Sequence, residues 1–483
     1  MRTRFTSVTL LGAIFTLCLS PVPSTGQTDS ALKLTTSSPQ VTTDFRAGVR
    51  DWENLSTESA AEHFAAVYKA DPAFGLGHVM YAFTAANLTP AQQRVELDRG
   101  VADAARASTN ELVLAAAYRE LALGNNATAT TLFRAAAELM PSDRYAGFGA
   151  VGLFPAGTSQ LSGLKEFVAR NPDYGPPYNT LAYLLWQNGD KAGALAAAKR
   201  QVELNPNVPN PHDTYAEILQ WNGNFAEAAA EYRRAATLTP RFPEAHAGLA
   251  ELAALRGNYE EARSHLREAI ANAWSPQQKL GYARQIAGTY ALEGGTTDVN
   301  VRQLQAIADE AKALNDNQTA AGAYAQMAPV YANAGNATAA HQAIATAKST
   351  LTPVPWFVDY YAGIAHALLK HWGPANEELA TIKSLAKTDR TVPVDAAAAL
   401  EGYIATQQGH PADALKILMA SDTTSLLVMN RIAEAHAALG HSAEAANWNS
   451  RVTNNYALNL QDTRGVNSRR RARIEAAATA GKR

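Results

Sequence analysis

Cysteine is almost absent from this sequence, since the 483 residues include only Cys18. One thiol cannot form an intrachain disulfide, and it cannot supply the paired cysteines that structural zinc sites use. If the chain is cleaved before Gln27, as argued below, the mature protein has no cysteine at all. A thiol nucleophile is then excluded as well.

Charge is also scarce, and the two signs nearly cancel. Charged residues make up 18% of the chain, and the formal net charge is -2. The overall field therefore gives no reason to expect a nucleic acid or an anionic membrane as partner. Hydrophobic residues reach 47%, which is typical of a folded chain rather than a disordered one.

Catalytic signatures are missing too. The sequence contains neither a phosphate-binding GxxxxGK[ST] loop nor a GxSxG nucleophile turn. The 11 histidines show no HExxH spacing; the pairs His366 and His371, and His436 and His441, are five apart, which does not place two ligands on one helix face. We therefore predict no catalytic residue, no metal and no cofactor. An enzyme whose catalytic groups come from distant repeats is one further hypothesis.

The first 26 residues have the features of an export signal. Arg2 and Arg4 precede an apolar run over residues 8–19, and that run is too short to span a bilayer, which needs about 20 residues. Small residues before Gln27 fit a cleavage site. We expect an exported bacterial protein, periplasmic or secreted, with no transmembrane segment after cleavage.

Two flanking segments have little apolar periodicity. Residues 27–43 are rich in Ser and Thr, which predicts a flexible leader. Residues 457–483 are polar and include four arginines within positions 469–473, for which we expect a short helix followed by a frayed basic tail. So few arginines without interleaved aromatic residues favour a solvated tail over a site for nucleic acid or anionic lipid. These arginines are Arg469, Arg470, Arg471 and Arg473.

The strongest positive signal is a repeat with a period of 34 residues. Such self-similarity is typical of a helix-turn-helix solenoid, in which each pair of helices buries its apolar face on the next. A glycine fits the left-handed residue after a first helix, an alanine fits a close helix crossing, and a proline ends the second helix. The positions that recur are Gly189, Gly223, Gly257; Ala194, Ala228, Ala262; and Pro172, Pro206, Pro240.

The first helices of these repeats each carry one apolar stripe. Its members are spaced by 3, 4 and 7 residues, which places each set on one helix face. Two histidines occupy equivalent positions on the stripe, so we expect them to be structural rather than catalytic. The stripe residues are Tyr178, Leu181, Ala182, Leu185; His212, Tyr215, Ala216, Leu219; and His246, Leu249, Ala250, Ala253.

This pattern resembles the tetratricopeptide repeat family, most specifically over residues 171–274, with a fourth good copy over residues 110–141. The resemblance implies an all-α fold: a right-handed superhelical α-solenoid of tetratricopeptide-type helix-turn-helix repeats. We expect the array to cover residues 44–456 as eleven or twelve helix pairs, with degenerate repeats outside the two clear regions.

In that family, the first helices line the concave face of the superhelix. Beside the buried stripe, this face here carries aromatic, amide and acidic residues, a composition typical of a recognition surface. Trp186 and Trp221 are either exposed there or packed between repeats. We predict that a partner contacts Asn179, Tyr183, Trp186, Gln187, Asp213, Glu217, Gln220, Trp221 and Glu251.

These residues favour a scaffold that binds a protein or peptide and performs no chemistry. The Lys, Arg and Asn clamp by which some family members hold a terminal carboxylate is not carried over, because the corresponding positions include Asp213, Glu217 and Glu251. Acidic side chains favour a neutral or basic partner, whose identity the sequence does not give. The alternative is a solute- or polysaccharide-binding accessory protein in cell-envelope biogenesis, because aromatic residues also stack on sugars. No feature specifies an oligomeric state.

Overall fold

A computed structural model describes residues 32–152, 158–389, 392–458, 460, 468–470, 472 and 473. These residues form an all-helical array with no strand among them. The helices are α1 (Pro39–Glu53), α2 (Thr57–Ala70), α3 (Gly75–Thr84), α4 (Pro90–Ala104), α5 (Thr109–Ala122), α6 (Asn126–Leu139), α7 (Arg144–Gly152), α8 (Thr158–Arg170), α9 (Pro176–Gln187), α10 (Lys191–Leu204), α11 (Pro209–Trp221), α12 (Phe225–Leu238), α13 (Glu244–Leu255), α14 (Tyr259–Asn272), α15 (Pro276–Glu293), α16 (Thr297–Ala313), α17 (Asn317–Asn333), α18 (Ala337–Thr350), α19 (Trp356–Leu368), α20 (Trp372–Leu385), α21 (Val394–Gln407), α22 (Pro411–Met419), α23 (Leu426–Ala438) and α24 (Ser442–Thr453).

The helices pack as consecutive antiparallel pairs, α1 with α2 through α23 with α24. Odd-numbered helices of neighbouring pairs also touch, as in the series α9, α11, α13 and the series α17, α19, α21, α23. Along these two series the odd-numbered helices thus form an inner row, and this confirms the helical solenoid expected from the sequence. None of the helices in the described ranges is both long enough and apolar enough to cross a membrane.

The turn inside each clear repeat depends on glycine. Gly189, Gly223 and Gly257 have φ values of 82°, 86° and 84°, a left-handed conformation that costs other residues energy because of their Cβ atom. Asp190 then caps α10 by accepting a 2.8 Å hydrogen bond from the amide of Gly193. The adjacent residues Gly189 and Asp190 therefore end α9 and begin α10.

Small residues set the spacing within each pair. Ala194, Ala228 and Ala262 are fully buried at the crossings, where their size lets two helix backbones approach closely. Tyr232 fills the space beside Ala228, and its hydroxyl donates to Oε1 of Gln220 at 3.3 Å. The crossing residues and most of the predicted stripe therefore form the interior of the array, whereas Tyr178, Tyr215 and His246 are only partly buried.

Contacts between distant repeats close one turn of the superhelix. Arg241, between α12 and α13, pairs with Glu58 and Glu62 of α2. Tyr174, before α9, donates a hydrogen bond to Glu53 at the end of α1. Burial raises the pKa of Glu53 to about 7, although this hydrogen bond acts in the opposite direction. Repeats far apart in the sequence are thus held against each other.

The described part of the segment expected to be a flexible leader is instead attached to the array. Residues 39–43 form the first turn of α1, which Ser38 caps by accepting a hydrogen bond from the amide of Val41. Thr35 donates its hydroxyl to Glu111 at 2.7 Å, and the amide of Leu32 donates to Asp143 at 3.0 Å. Carboxylate acceptors on α5 and just before α7 therefore hold this segment in place. The predicted signal peptide and Cys18 lie outside the described residues.

The region after α24 also differs from the expectation of a solvated basic tail. Its described residues, 455–458, 460, 468–470, 472 and 473, are named here the return segment. Leu460 and Ala472 are fully buried, and Arg469 is 1% exposed. The return segment packs on α11, α13 and α15. Apolar contacts and partners for its arginines, which the local sequence does not reveal, explain why it is not solvated.

Candidate functional site

Polar residues on the inner row mostly pair with one another between repeats. Asn179 of α9 donates to the hydroxyl of Thr214 on α11 at 2.6 Å. Tyr183 of α9 donates to the carboxylate of Glu217 on α11, 34 residues further along the chain. Because α9 and α11 are equivalent helices of successive repeats, the 34-residue period also places the members of these pairs opposite each other. Two of the predicted contact residues, Tyr183 and Glu217, therefore already have each other as partners.

Trp186 and Trp221 pack against each other and keep part of their surface exposed. Their ring centroids are 5.5 Å apart, and Trp221 lies 5.7 Å from the Tyr183 ring. The Nζ atom of Lys191 lies 5.1 Å from the Trp186 centroid, which stabilises the ring orientation. Both alternatives considered for the tryptophans thus hold in part. We name Tyr183, Trp186 and Trp221 the aromatic cluster.

Four carboxyl groups line the inner face beside the aromatic cluster. Burial raises the pKa of Asp213 well above its ordinary value, and the neighbouring carboxylates Glu217, Glu244 and Glu251 raise it further. Burial is also the main cause that raises the pKa of Glu217 and of Glu244. The pKa of Glu251 is raised to about 8, first by burial and then by Glu217. The face is therefore crowded with acids that a positive charge would stabilise.

The return segment meets this face at Tyr456. Gln220 of α11 donates its Nε2 hydrogen to the Tyr456 carbonyl at 3.2 Å and also contacts Glu251 at 3.3 Å. The Tyr456 ring packs edge-on against Phe225, with centroids 4.9 Å apart, and covers Gly223. Gln220 is fully buried, so it contacts the return segment instead of an outside partner.

Two leucines anchor the next part of the return segment. Leu458 and Leu460 join a buried cluster with alanines of α13 and with Tyr282 of α15. At Gly288 the backbone approach is very close, because a Cβ atom there would lie 1.9 Å from the Leu460 carbonyl oxygen. Only glycine leaves room for this contact, so Gly288 allows the backbone of the return segment to pack directly on α15.

Arginines complete the contact. Arg473 donates to the hydroxyl of Tyr259 at 2.8 Å and to the carbonyl of Leu255 at 3.0 Å. Arg469 donates to the Asn455 carbonyl. Burial lowers the pKa of Arg469 to about 10, while Glu251 acts to raise it. The guanidinium and the acidic face therefore stabilise each other's charged forms.

The predicted contact set thus divides into a covered part and an open part. Gln220 touches the return segment directly, and Glu251 is electrostatically coupled to it. Gln187 is exposed, and the rest of the set is partly exposed: Asn179, Tyr183, Trp186, Asp213, Glu217 and Trp221. Sequence reasoning missed Glu244, whose position in α13 is shared with polar residues of other repeats, and it missed the return segment altogether.

A cavity of about 390 Å³ lies further along the inner row. Helices α15, α16, α17, α19 and α23 form its walls, and Ser468 and Arg470 of the return segment contribute to its lining. Arg431 lies in the wall, pairs with Glu434 at 2.7 Å and stacks 4.1 Å from the Tyr403 ring centroid. These two contacts fix the guanidinium of Arg431 within the wall.

The histidines are arranged differently from the sequence-based expectation. His212 contacts Glu231 at 2.6 Å and the Pro206 carbonyl at 2.9 Å, which suits a structural residue. Three others come together instead: one possible ligand atom from each of His341, His366 and His371 lies within 4.8 Å of the other two. The spacing argument considered ligands on a single helix, whereas this cluster uses the turn between two helices and a third helix beside it.

The tetratricopeptide repeat family matches residues 222–278 of the chain. With the helix pairs described above, this match supports a tetratricopeptide-repeat protein. The chain is similar in structure to TTC0263, a thermophilic tetratricopeptide repeat protein in Thermus thermophilus, with 26% identity over 36% of this chain and 97% of that one and a TM-score of 0.32.

Two other solved structures are similar over different lengths. A human IFIT1 dimer with PPP-AAAA shares 13% identity over 87% of this chain and 95% of that one, with a TM-score of 0.40. MamA shares 16% identity over 32% of this chain and 93% of that one, with a TM-score of 0.28. No curated protein matches the sequence.

Proposed function

We propose that the protein is an exported scaffold that binds a protein or peptide segment on its concave face, without chemistry. The observation that carries this proposal is the return segment itself. Its Tyr456 carbonyl accepts a hydrogen bond from α11, Leu458 and Leu460 pack on α13 and α15, and Arg473 donates to the Leu255 carbonyl of α13. A surface that holds one segment of the chain has the groups needed to hold another of similar chemistry.

The charge of the face specifies the kind of partner. Glu217, Glu244 and Glu251 all act electrostatically on Asp213, so an arginine or lysine brought among these groups relieves their repulsion. Arg469 of the return segment already acts in this way on Glu251. The proposed partner is therefore a segment that combines apolar side chains with a basic one.

The aromatic cluster adjoins the return segment and extends the same surface. Trp221 lies at the end of α11, directly before the Gly223 turn that Tyr456 covers. Aromatic rings supply contact area at low cost in side-chain entropy. A partner longer than the return segment would reach Trp221 and Trp186 next.

A peptide added in trans tests the proposal. The host is the full chain with Leu458→Asp and Leu460→Asp, which weakens its own return segment and leaves the face intact. A labelled peptide with the sequence of residues 455–473 should bind this host, as measured by fluorescence anisotropy. Binding to the host should exceed binding to the unmodified chain at least tenfold, because the intramolecular competitor is lost.

Two controls make the result specific. The same peptide carrying the two aspartates should not bind, and the host with the additional change Gly288→Ala should lose binding, because the new methyl group occupies the backbone position of Leu460. Circular dichroism must first show that each host remains folded. Equal binding of both peptides would contradict the proposal.

The polysaccharide hypothesis has a separate test. A glycan panel screened against the full chain should leave the melting temperature unchanged if the face recognises peptides, since only a ligand of the native state raises it. A glycan that raises the melting temperature in the unmodified chain, but not in Trp186→Ala/Trp221→Ala, would favour the solute-binding function. For export, residues 1–26 fused to a reporter enzyme should direct it out of the bacterial cytoplasm.

A further inference from the structure

We propose that His341, His366 and His371 form a binding site for a divalent transition metal of the zinc class, which links two neighbouring repeats. The site is separate from the concave face and does not depend on the proposed function. Its three imidazoles come from three different helices or their caps.

The backbone brings two of the rings together at a turn. His366 lies in the last turn of α19, and His371 is the N-cap of α20. Between them the chain reverses at Lys370, which has a φ of 60°, and the His371 amide donates to the His366 carbonyl at 2.8 Å. His341, in the preceding repeat, reaches the same place from α18.

The distances between the rings fit a shared ion. The ring centroid of His341 lies 5.5 Å from that of His366 and 5.3 Å from that of His371, and the latter two are 6.2 Å apart. Imidazole nitrogens bound to one tetrahedral zinc ion at about 2.0–2.1 Å lie roughly 3.4 Å from one another. The three candidate nitrogens are already within 4.8 Å, so small side-chain rotations complete the site.

The chemistry of the cluster also favours a metal. His366 is 9% exposed, and its Nδ1 atom is buried without a hydrogen-bond partner among the described residues. Unpaired buried nitrogens are unfavourable, and coordination would satisfy one. Neutral imidazole is a ligand that zinc, copper and nickel accept, whereas magnesium and calcium prefer oxygen. His341 is exposed, so a fourth ligand can come from water.

One negative and one positive side chain act electrostatically on His366. Glu377 of α20 acts electrostatically on His366, and its negative charge favours a bound ion. Lys348 acts in the opposite sense, but its ammonium group is paired with Glu378 at 2.7 Å and with Asp359 at 3.2 Å. The charge of Lys348 is therefore largely compensated.

The chain contains a matched pair that lacks the third ring. His436 and His441 occupy the same positions at the turn between α23 and α24, with Nδ1 atoms 3.4 Å apart. No third histidine joins them in the described ranges. Two imidazoles bind a divalent ion more weakly than three. Substitution of this pair therefore serves as a control for nonspecific binding of metal by histidines.

The experiment titrates zinc chloride into the full chain, without a histidine tag and freed of metal by a chelator, in an isothermal calorimeter. We expect one strong equivalent, a rise in the melting temperature with zinc, and no rise with magnesium. His341→Ala should weaken binding at least tenfold and abolish the thermal shift. Because His341 is exposed, this substitution leaves the fold intact, which circular dichroism checks.

The control is the double variant His436→Ala/His441→Ala, which should keep the strong equivalent unchanged. Cobalt in place of zinc should give the visible absorption of a tetrahedral ion in the unmodified chain and lose it in His341→Ala. Zinc affinity that is unchanged in His341→Ala, or lost equally in the control variant, would overturn the proposal.

Discussion

Arg241 and Glu62 form an ion pair, with Nη2 and Oε1 2.6 Å apart, although 179 positions separate them in the sequence. Glu58 accepts from the same guanidinium. Arg241, between α12 and α13, thus binds to α2. In a solenoid whose other contacts are mainly between neighbouring helices, this is a long-range connection. We therefore expect this connection to constrain the pitch of the superhelix more than it stabilises any single repeat.

Arg241→Ala should therefore change the overall dimensions of the array more than its thermal stability. Exposed ion pairs contribute about 0–1 kcal/mol, so the melting temperature should hardly change, while small-angle scattering should show a larger radius of gyration. The matched control is Arg267→Ala, which removes an exposed pair with Glu260 inside α14 and should leave the radius unchanged. An identical radius in both variants would refute a role for Arg241 in closing the turn.

Gly288→Ala should release the return segment. The added methyl group would meet the Leu460 carbonyl oxygen at 1.9 Å, while alanine itself favours the helix by about 1 kcal/mol. We expect faster hydrogen exchange at residues 455–458 and at the facing part of α13, without loss of helix content.

Gly322→Ala provides the comparison for this change. Gly322 is also helical, in α17, and its added methyl group would only touch the Phe357 side chain at 3.5 Å. Exchange in the return segment should then match that of the unmodified chain. Faster exchange in both variants would show that general loosening, and not loss of the Gly288 contact, is the cause.

Glu251→Gln should make stability less dependent on pH. Burial and Glu217 raise the pKa of Glu251 to about 8 from an ordinary 4.5. A raised native pKa means that its contribution is fully present below about pH 4.5 and is lost as pH rises through 8. Each pKa unit corresponds to about 1.4 kcal/mol, so melting temperatures at pH 5, 7 and 9 should diverge, with the variant higher at pH 9.

The opposite sign is expected at Glu260. Hydrogen bonds from Arg267 and Arg263 lower the pKa of this exposed group, so its contribution is present above the ordinary pKa and is lost as pH falls. Glu260→Gln should therefore not raise the melting temperature at pH 9. If both variants gained stability there, removal of negative charge in general would explain the effect.

Lys348→Met should destabilise the second half of the array. Its ammonium group lies between Glu378 and the buried Asp359, whose pKa burial raises to about 6. Removal of one partner from a buried ion cluster costs about 3–5 kcal/mol, and partial exposure of Lys348 places the expected loss near the lower end. The loss should shrink below pH 6, where Asp359 is protonated.

Lys383→Met is the control for the charge change alone. Lys383 pairs with Glu401 at 2.6 Å, and both side chains are partly exposed. Chemical denaturation should show a loss of less than about 1 kcal/mol for this variant. Similar losses for the two lysines would contradict a special role for the cluster around Asp359.

The sequence was sufficient for the fold class because the repeat signal is local. Gly189 and its equivalents specify the turn, and Ala194 and its equivalents specify the crossing, within a few residues of each other. A 34-residue period also places Tyr183 above Glu217, although only the structure shows that the two bind each other and so leave less free surface than the composition indicated.

The return segment and the histidine cluster could not be predicted because both depend on long-range geometry. Leu460 meets Gly288 only after the array has curved through several repeats, and nothing near Leu460 in the sequence indicates this. His366 and His371 are five apart, a spacing that excludes one helix face but not a helix turn. The left-handed residue of that turn is Lys370, so the glycine that marks the turns of the clear repeats is missing there.

The order of synthesis gives the return segment a further consequence. Helices α11, α13 and α15 emerge from the ribosome long before residues 455–473 exist, and repeat arrays can fold unit by unit from any point. A chain whose earlier repeats have folded by then presents Gln220 and Glu251 without the return segment. At that stage we expect the surface that later packs on Leu458 and Leu460, and the acids beside it, to be accessible to other segments with apolar and basic side chains.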